Sequence, residues 1–548
     1  MKKNNKIILS ITLGLVIVLS TFVTLYVILK TKDRLIAHEP IIIWRDEDFR
    51  DFDFLGDGSV NNPYIIQNYN ITTDSKYSIF IRNTLKYFII QNCYLNAKEY
   101  GIYFDDIADG RAIINDNVFS KSEIGIYVSN SDYVVISNNT CINNKGPTGS
   151  GIVISDSSYC NITNNLCTNY EFYGIKLEET NSCYLYNNTC TDNTGIIRGA
   201  GIYLFQSDNN KLVNNTCSSN KWFGIQISVS SYSTLVNNTC IENERRGILL
   251  TSSPYSTITN NTCLRNRNWF VLESHGIDLY NSPFCNLTGN TIGSNIGNGI
   301  FLESSDNCII TNNIIYNHAG YSDSGYILGH AIYCLYSSDV SILFNQGFNN
   351  YGSCWVESSQ RVNISSNLWL QSENYTIEIY DSSNCSLQYN TIDTNKEGIH
   401  LTDSVSNHIT NNLIQNAEFY GLSIFGNSSN NLIHHNSFID NNLGGTSQGY
   451  DESLGNLWYD NMTKEGNFWS DWIGSGNYSI DGPANSEDPY CLIEYPLDIL
   501  FSIRLEYESY LTRSTGYCAK NHLSIEYYYV MLLFFNLTQI ISHEIKRE

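Results

Sequence analysis

The feature that most constrains this chain is a recurrence of asparagine. Asn92, Asn117, Asn139, Asn165, Asn188, Asn215, Asn238, Asn261, Asn290, Asn313, Asn345, Asn367, Asn390, Asn412 and Asn436 follow one another at intervals of 22 to 32 residues. Upstream of most of them stands a Gly-Ile-x-Leu segment, as in Gly125-Ile126-Tyr127-Val128 and Gly299-Ile300-Phe301-Leu302. From Val128 to Leu401, in twelve consecutive repeats, the last residue of that segment lies 11 positions before its asparagine. Length varies only between the asparagine and the next Gly-Ile. A fixed arc followed by one elastic turn is the signature of a solenoid, which grows by stacking coils and needs no further domains to reach 548 residues.

Within the arc, apolar residues alternate at Ile152/Ile154, Ile175/Leu177, Ile202/Leu204, Ile277/Leu279, Ile300/Leu302 and Ile399/Leu401, which is the period of a strand with one face buried. A second alternating segment precedes the asparagine, with Ile162 or Ile258 pointing inward, and a short third strand follows it. Strands one coil apart must pair in parallel, and crossovers between parallel strands are right-handed. The expected fold is an all-β, right-handed parallel β-helix of about fifteen coils of roughly 22 to 29 residues, capped at both ends and preceded by one transmembrane helix. Asn139, Asn165, Asn188, Asn215, Asn238 and Asn261 are expected to form a structural ladder at the bend between second and third strands. Asparagine tolerates a left-handed backbone there, and its amide can bond the equivalent group in the next coil. Leucine-rich repeats have a similar period but need a Leu-x-x-Leu-x-Leu strand and a helical return, which this sequence lacks.

Cys141, Cys167, Cys190, Cys217, Cys240 and Cys263 each lie two residues after a ladder asparagine, and Cys160/Cys183 and Cys285/Cys308 lie five before one. The neighbouring-coil spacing suits disulfide staples, but a stack of small buried thiols is the favoured reading; without CxxC or His-x₃-His companions no metal site is assigned. Lys+Arg 31 against Asp+Glu 54 gives a net charge of -23, a surface that repels phosphate backbones, so nucleic acid is excluded as a partner. The uncharged run 7–29 is long enough to span a bilayer and is read as an uncleaved anchor. With sequons such as Asn70, Asn286 and Asn461, it suggests an extracytoplasmic, membrane-anchored chain, although the sequons are equally explained as by-products of the repeated Asn-Asn-Thr. The expected organisation is anchor 1–34, lead-in and N-terminal cap 35–63, β-helix 64–445, C-terminal cap 446–500 and a tail 501–548 of undecided structure.

Between the inward residues of Gly-Ile-x-Leu, two columns face outward on the first sheet. Between Asp278 and His400 they concentrate Asp278, Glu303, Glu357 and Glu378 with Tyr280, Phe301, Tyr333, Trp355, Tyr380 and His400. The two longest turn insertions, Leu264 to His275 and Ile314 to His330, are expected to wall this stretch into a groove. Aromatic faces stack on sugar rings, while carboxylates bind hydroxyls, hold Ca²⁺ or act as an acid/base pair. The five rings and His400 are therefore candidate substrate-binding residues for an extracellular glycan or a surface protein. Asp278 with Glu303, or Glu357 with Glu378, are candidate catalytic pairs for a polysaccharide lyase or glycoside hydrolase. No cofactor is assured; Ca²⁺ is the one considered. A lyase acting on uronates needs a cationic bed, and this face offers only Lys176. Copper handling needs soft ligands, yet Met numbers 3, and the adjacent His434 and His435 should point to opposite faces, leaving His400 and His408.

The segment Gly56-Asp57-Gly58-Ser59-Val60-Asn61-Asn62-Pro63-Tyr64-Ile65-Ile66, the repeats, and the exit Gly466-Asn467-Phe468-Trp469-Ser470-Asp471-Trp472 through Tyr478-Ser479-Ile480-Asp481-Gly482 resemble the right-handed β-helix proteins of the NosD type over residues 56–497. That resemblance implies the fold and two end caps. It also implies two quite different functions, periplasmic copper handling or the sugar binding and hydrolysis of related β-helix repeats, since fold does not fix function.

Overall fold

A computed structural model describes residues 35–494, apart from 143–145, 147–148, 196–198, 268–273, 319–320, 324–325 and 395. The segments assigned above as anchor and tail lie outside the described residues, among which no helix is long and apolar enough to cross a membrane.

One coil explains the rest. Phe223–Ser228 is a strand of the first sheet, Thr234–Val236 of the second and Thr239–Ile241 of the third. Alternation sends Ile225, Ile227, Leu235 and Cys240 inward, all fully buried. Each meets its counterparts one coil away in parallel register: Ile225 with Ile202 and Ile248, Leu235 with Leu212 and Ile258, Cys240 with Cys217 and Cys263. Repeated along one axis, this pairing gives seventeen strands in the first sheet, sixteen in the second and eighteen in the third among the described residues. The interior is one continuous core built of stacked apolar columns.

The glycine before each first-strand isoleucine is fixed by this packing. A Cβ on Gly224 would stand 2.8 Å from the Cβ and Sγ of Cys240 and 2.6 Å from the carbonyl of Gly247. The cysteine column is thus interior filling. The described cysteines are free thiols, and burial pushes Cys141 and Cys167 well above the usual thiol range, which leaves them unreactive.

The amide ladder closes the bend. Oδ1 of Asn238 accepts from the main-chain N–H and from Nδ2 of Asn215, both at 3.0 Å, while Nδ2 of Asn238 donates to Oδ1 of Asn261 at 3.0 Å and to the Leu212 carbonyl at 2.9 Å. Two expectations are corrected here. The left-handed residue is not the ladder asparagine but the one before it, such as Asn237 (φ 54°) or Asn312 (φ 55°). For the same reason Asn92 (φ 51°) is not a rung: Cys93 takes the rung position, its N–H donating to Oδ1 of Asn117 at 3.0 Å. At the other end the ladder continues to Asn467, which accepts from the N–H of Asn436 at 3.1 Å and donates its own N–H to Oδ2 of Asp488 at 2.7 Å. A buried carboxylate, needing no donor of its own, ends the series.

Two further ladders were not expected. Ser207, Ser230, Ser253 and Ser282 lie three residues after the last inward residue of the first strand. Each N–H donates to the next coil's hydroxyl at 2.9 to 3.1 Å, and the Ser253 hydroxyl returns to the Thr251 carbonyl at 2.9 Å. Five residues after the main rungs, Asn193, Asn220, Asn243, Asn266 and Asn295 form a second amide stack with Nδ2 to Oδ1 distances of 2.6 to 3.0 Å. Buried turns thereby have their polar groups satisfied by stacking.

Large rings seal the ends. The short 3₁₀ helix Asp46–Asp51 lays Phe49 parallel to Tyr64 at 4.7 Å. At the exit Trp469 stacks between Phe438 at 4.3 Å and Tyr478 at 4.1 Å, and the indole N–H groups of Trp458 and Trp469 donate to Asp451 and Asp488.

Candidate functional site

The pairing places the outward columns in consecutive coils. Asp278 lies opposite Phe301, Phe301 opposite Tyr333, Tyr333 opposite Trp355, Trp355 opposite Glu378 and Glu378 opposite His400. Beside them run Tyr280, Glu303, Leu335, Glu357, Tyr380 and Thr402. Stacking covers much of this face, so Asp278, Tyr333 and His400 are buried, while Tyr280 and Tyr380 remain exposed.

The first candidate pair, Asp278 with Glu303, is not free for acid/base work. Arg246 reaches from the preceding turn and forms an ion pair with Asp278, whose side chain is 3% exposed. This cation was not expected on the face, because it precedes the strand instead of lying in an outward column. Lys176 is held by Glu178 at 2.7 Å. Arg246, Asp278, Tyr280, Phe301 and Glu303, with Leu249 and Thr251, line an open cavity of about 160 Å³, the size of a space that takes one six-membered ring. The wall insertions fall partly outside the described residues; what is described of the second is the hairpin Tyr321–Asp323 with Tyr326–Leu328.

The second pair lies in a richer setting. Tyr333 and Trp355 stack at 4.6 Å and 6°, and the Tyr333 hydroxyl donates to Oε2 of Glu357. Tyr375 stacks on His400 at 4.0 Å. His400 Nδ1 meets the Ser423 hydroxyl at 2.8 Å and Nε2 meets Thr402 Oγ1 at 2.9 Å, and Ser423 also binds Glu397. Glu378 sits half-buried between Trp355 and His400. Burial raises its carboxyl to about 7; Glu357 and Glu397 push the same way and His400 opposes them. Burial, then Glu397 and Glu378, raise the Tyr375 hydroxyl to about 12. Glu357 and Glu378 come from adjacent coils two positions apart, a backbone separation of about 8 Å from sheet spacing alone. Glu397 and Tyr375 were missed by reading only the two central columns of each strand.

Glu378 makes a stability prediction. Its folded-state value lies above its unfolded one, so the native protein holds the extra proton between pH 4.5 and about 7, and this contribution to stability is lost as pH rises through that window. Glu378→Gln should therefore raise the unfolding free energy by up to about 3 kcal/mol at pH 8 and change it little at pH 5, read by urea denaturation. An equal effect at both pH values would contradict this assignment.

His434 and His435 do not point to opposite faces. The strand Leu432–His434 ends there, and His435 takes φ 55°, which swings its ring to 4.8 Å from that of His434. His408 Nε2 meets His434 Nε2 at 2.8 Å, His434 Nδ1 meets His435 Nδ1 at 2.5 Å, and His435 Nε2 meets Glu465 at 2.9 Å. The rings form a hydrogen-bonded relay, with both nitrogens of His434 engaged. Among the described residues no three His, Cys, Asp or Glu side chains are arranged to hold a metal ion, so this cluster does not fit copper as it stands.

Comparison with known proteins agrees with the architecture. The family described as periplasmic copper-binding protein (NosD) matches residues 275–474, and the right-handed β-helix region matches 54–190 and 150–300. Solved structures with a similar course include the periplasmic alginate epimerase AlgG (13% identity, 73% of this chain and 85% of that one, TM-score 0.34). They also include the Dettilon tailspike protein (11%, 56% and 61%, 0.38) and PfbA, a surface adhesin of Streptococcus pneumoniae (15%, 59% and 85%, 0.36). No curated protein matches the sequence. The two family matches and the stacked parallel coils together make this chain a right-handed parallel β-helix protein of the NosD type.

Proposed function

We propose that the outer face of the first sheet, from Tyr333 to Tyr450, binds a surface glycan, in a chain held outside the cytoplasm by the apolar run 7–29. The observation that carries this reading is the alternation of stacked rings with carboxylates along one rigid strip. Tyr333/Trp355, Tyr375/His400 and Phe425/Tyr450 stack at 4.6, 4.0 and 4.8 Å, with Glu357, Glu378 and Glu397 between and beside them. A polysaccharide laid along the axis meets one ring pair after another, and a strip built on sheet is preorganised. In retention of the full chain on immobilised polysaccharides, Trp355→Ala should weaken binding at least tenfold, about 1.4 kcal/mol. Unchanged retention would remove the strip from consideration.

A second reading, glycoside cleavage, draws on one specific observation. Glu378 holds its proton near neutral pH while Glu357, about 8 Å away along the backbone, accepts a hydrogen bond from Tyr333, an arrangement of acid and base compatible with an inverting hydrolase. Release of reducing ends that Glu378→Gln abolishes would favour it; retention of intact polymer favours binding alone.

A further inference from the structure

The strip has a charge character that selects among glycans, and this inference rests on the carbohydrate reading above. Five side chains surround Glu378. Trp355 and His400 flank it in register, Tyr375 lies on its own strand, and Glu357 and Glu397 come from the strands on either side. Tyr351 and Glu373 stand close enough to act on one another's charge, and Tyr351 on that of Glu378. Of the basic side chains near this site, Lys396 is exposed and bonded to Asn374 at 3.2 Å, and Arg361 lies in the following turn with Nε and Nη2 donating to Asp339 at 2.7 Å. Carboxylates thus outnumber cations here, and they are set among π faces.

That environment discriminates by chemistry. A uronate would bring a further negative charge against Glu357, Glu378 and Glu397 with no guanidinium to receive it. A calcium ion wants six to eight oxygens, roughly, where the walls present rings instead. A primary ammonium carried on a sugar satisfies both parts at once, its charge taken by the carboxylates and its flanks by the faces of Trp355 and Tyr375, as cation–π recognition requires.

We propose that Glu357, Glu378, Trp355 and Tyr375 form a subsite for the free amino group of a de-N-acetylated amino sugar, making the strip selective for polycationic glycans over neutral and uronic ones. An ammonium held by Glu378 adds to the lowering that His400 already exerts, so occupancy should lower the Glu378 carboxyl from its raised value of about 7.

The test uses the full chain and three oligosaccharides of matched length: glucosamine oligomers, their N-acetylated counterparts and oligogalacturonate, with polylysine as a non-sugar polycation. The glucosamine oligomer is expected to bind at least tenfold more tightly than the acetylated one at pH 6. Glu378→Gln should erase that preference, bringing the glucosamine oligomer to the affinity that the variant shows for the acetylated one, and in the unsubstituted chain carboxyl carbon NMR should show the Glu378 titration moving to lower pH on binding. Equal affinity for the two oligomers, abolished by Trp355→Ala, would overturn the ammonium subsite while leaving the carbohydrate reading intact. Polylysine competing at equal affinity would overturn the sugar as the source of the amine, and failure of every saccharide to bind would overturn both readings.

Discussion

Asn238→Ala is expected to destabilise the solenoid by about 4 kcal/mol, whereas Asn237→Gly, its neighbour in the same Asn-Asn pair, should change stability by less than about 1 kcal/mol. The difference follows from what each side chain does. Asn238 is fully buried and makes four side-chain hydrogen bonds; without its amide, the N–H and one Nδ2 hydrogen of Asn215 lose their acceptor, and the Leu212 carbonyl and Asn261 Oδ1 each lose a donor. Two orphaned donors at about 1 to 3 kcal/mol each, plus the void left by the amide, reach the stated figure. Asn237 is exposed and serves to occupy a left-handed φ of 54°, which glycine does freely. Asn238→Asp is expected to fall near the alanine variant, because a carboxylate keeps the acceptor but cannot donate to Leu212 or Asn261. Urea midpoints of the three variants check the ranking.

Acid should unfold this protein more than its carboxylates alone would predict. His318 and His330 are fully buried, and desolvation lowers them to about 4 and about 3; among the described residues neither ring nitrogen of His330 has a hydrogen-bond partner. Both folded values lie below the unfolded one of about 6.5, so between those limits the unfolded chain binds more protons and stability falls as pH drops. Each contributes on the order of 3 kcal/mol, all of it present above pH 7 and lost by pH 3. Glu378 works in the opposite sense between pH 7 and 4.5, but it is one group against three, since burial also holds His275 well below the usual imidazole range. A loss of roughly 3 kcal/mol or more between pH 7 and pH 4 is therefore expected, in urea titrations at stepped pH. His330→Phe, which keeps a ring against Trp355 and Tyr351, should move the acid midpoint lower. A stability independent of pH across this range would show that the buried imidazoles are reached by water in the folded state.

What the sequence disclosed was whatever recurs at fixed spacing. Gly-Ile-x-Leu and the rung eleven residues later give inward columns, register and coil boundaries without any knowledge of coordinates, because a slip of one residue would turn Ile225 and Ile227 toward water. The serine rungs recur three residues after the last inward residue of the first strand, and the second amide stack runs through five consecutive coils, Asn193 to Asn295, five residues after the main rung, yet Ser and Asn in turns look like ordinary turn residues. Asn92 was misplaced because in an Asn-Asn pair only geometry tells the rung from the left-handed residue before it. The site was less legible. Arg246 meets Asp278 across a coil from a turn of variable length, the His434/His435 pair depends on one positive φ, and the desolvation of Glu378 arises from rings in three different coils. None of these is a periodic property.

The coils supply a rigid scaffold, and the outward residues, which the interior does not constrain, decide what it holds. In this chain those residues are rings and carboxylates on the first sheet and an imidazole relay on the second, ending at Glu465.

Hydrogen–deuterium exchange of the full chain, with and without the oligosaccharide it binds most tightly, tests the location of binding most directly. Slowed exchange confined to Gly352–Glu357, Tyr375–Tyr380 and Glu397–Thr402 is the predicted result. Protection over the second or third sheet, with these three strands unchanged, would contradict it.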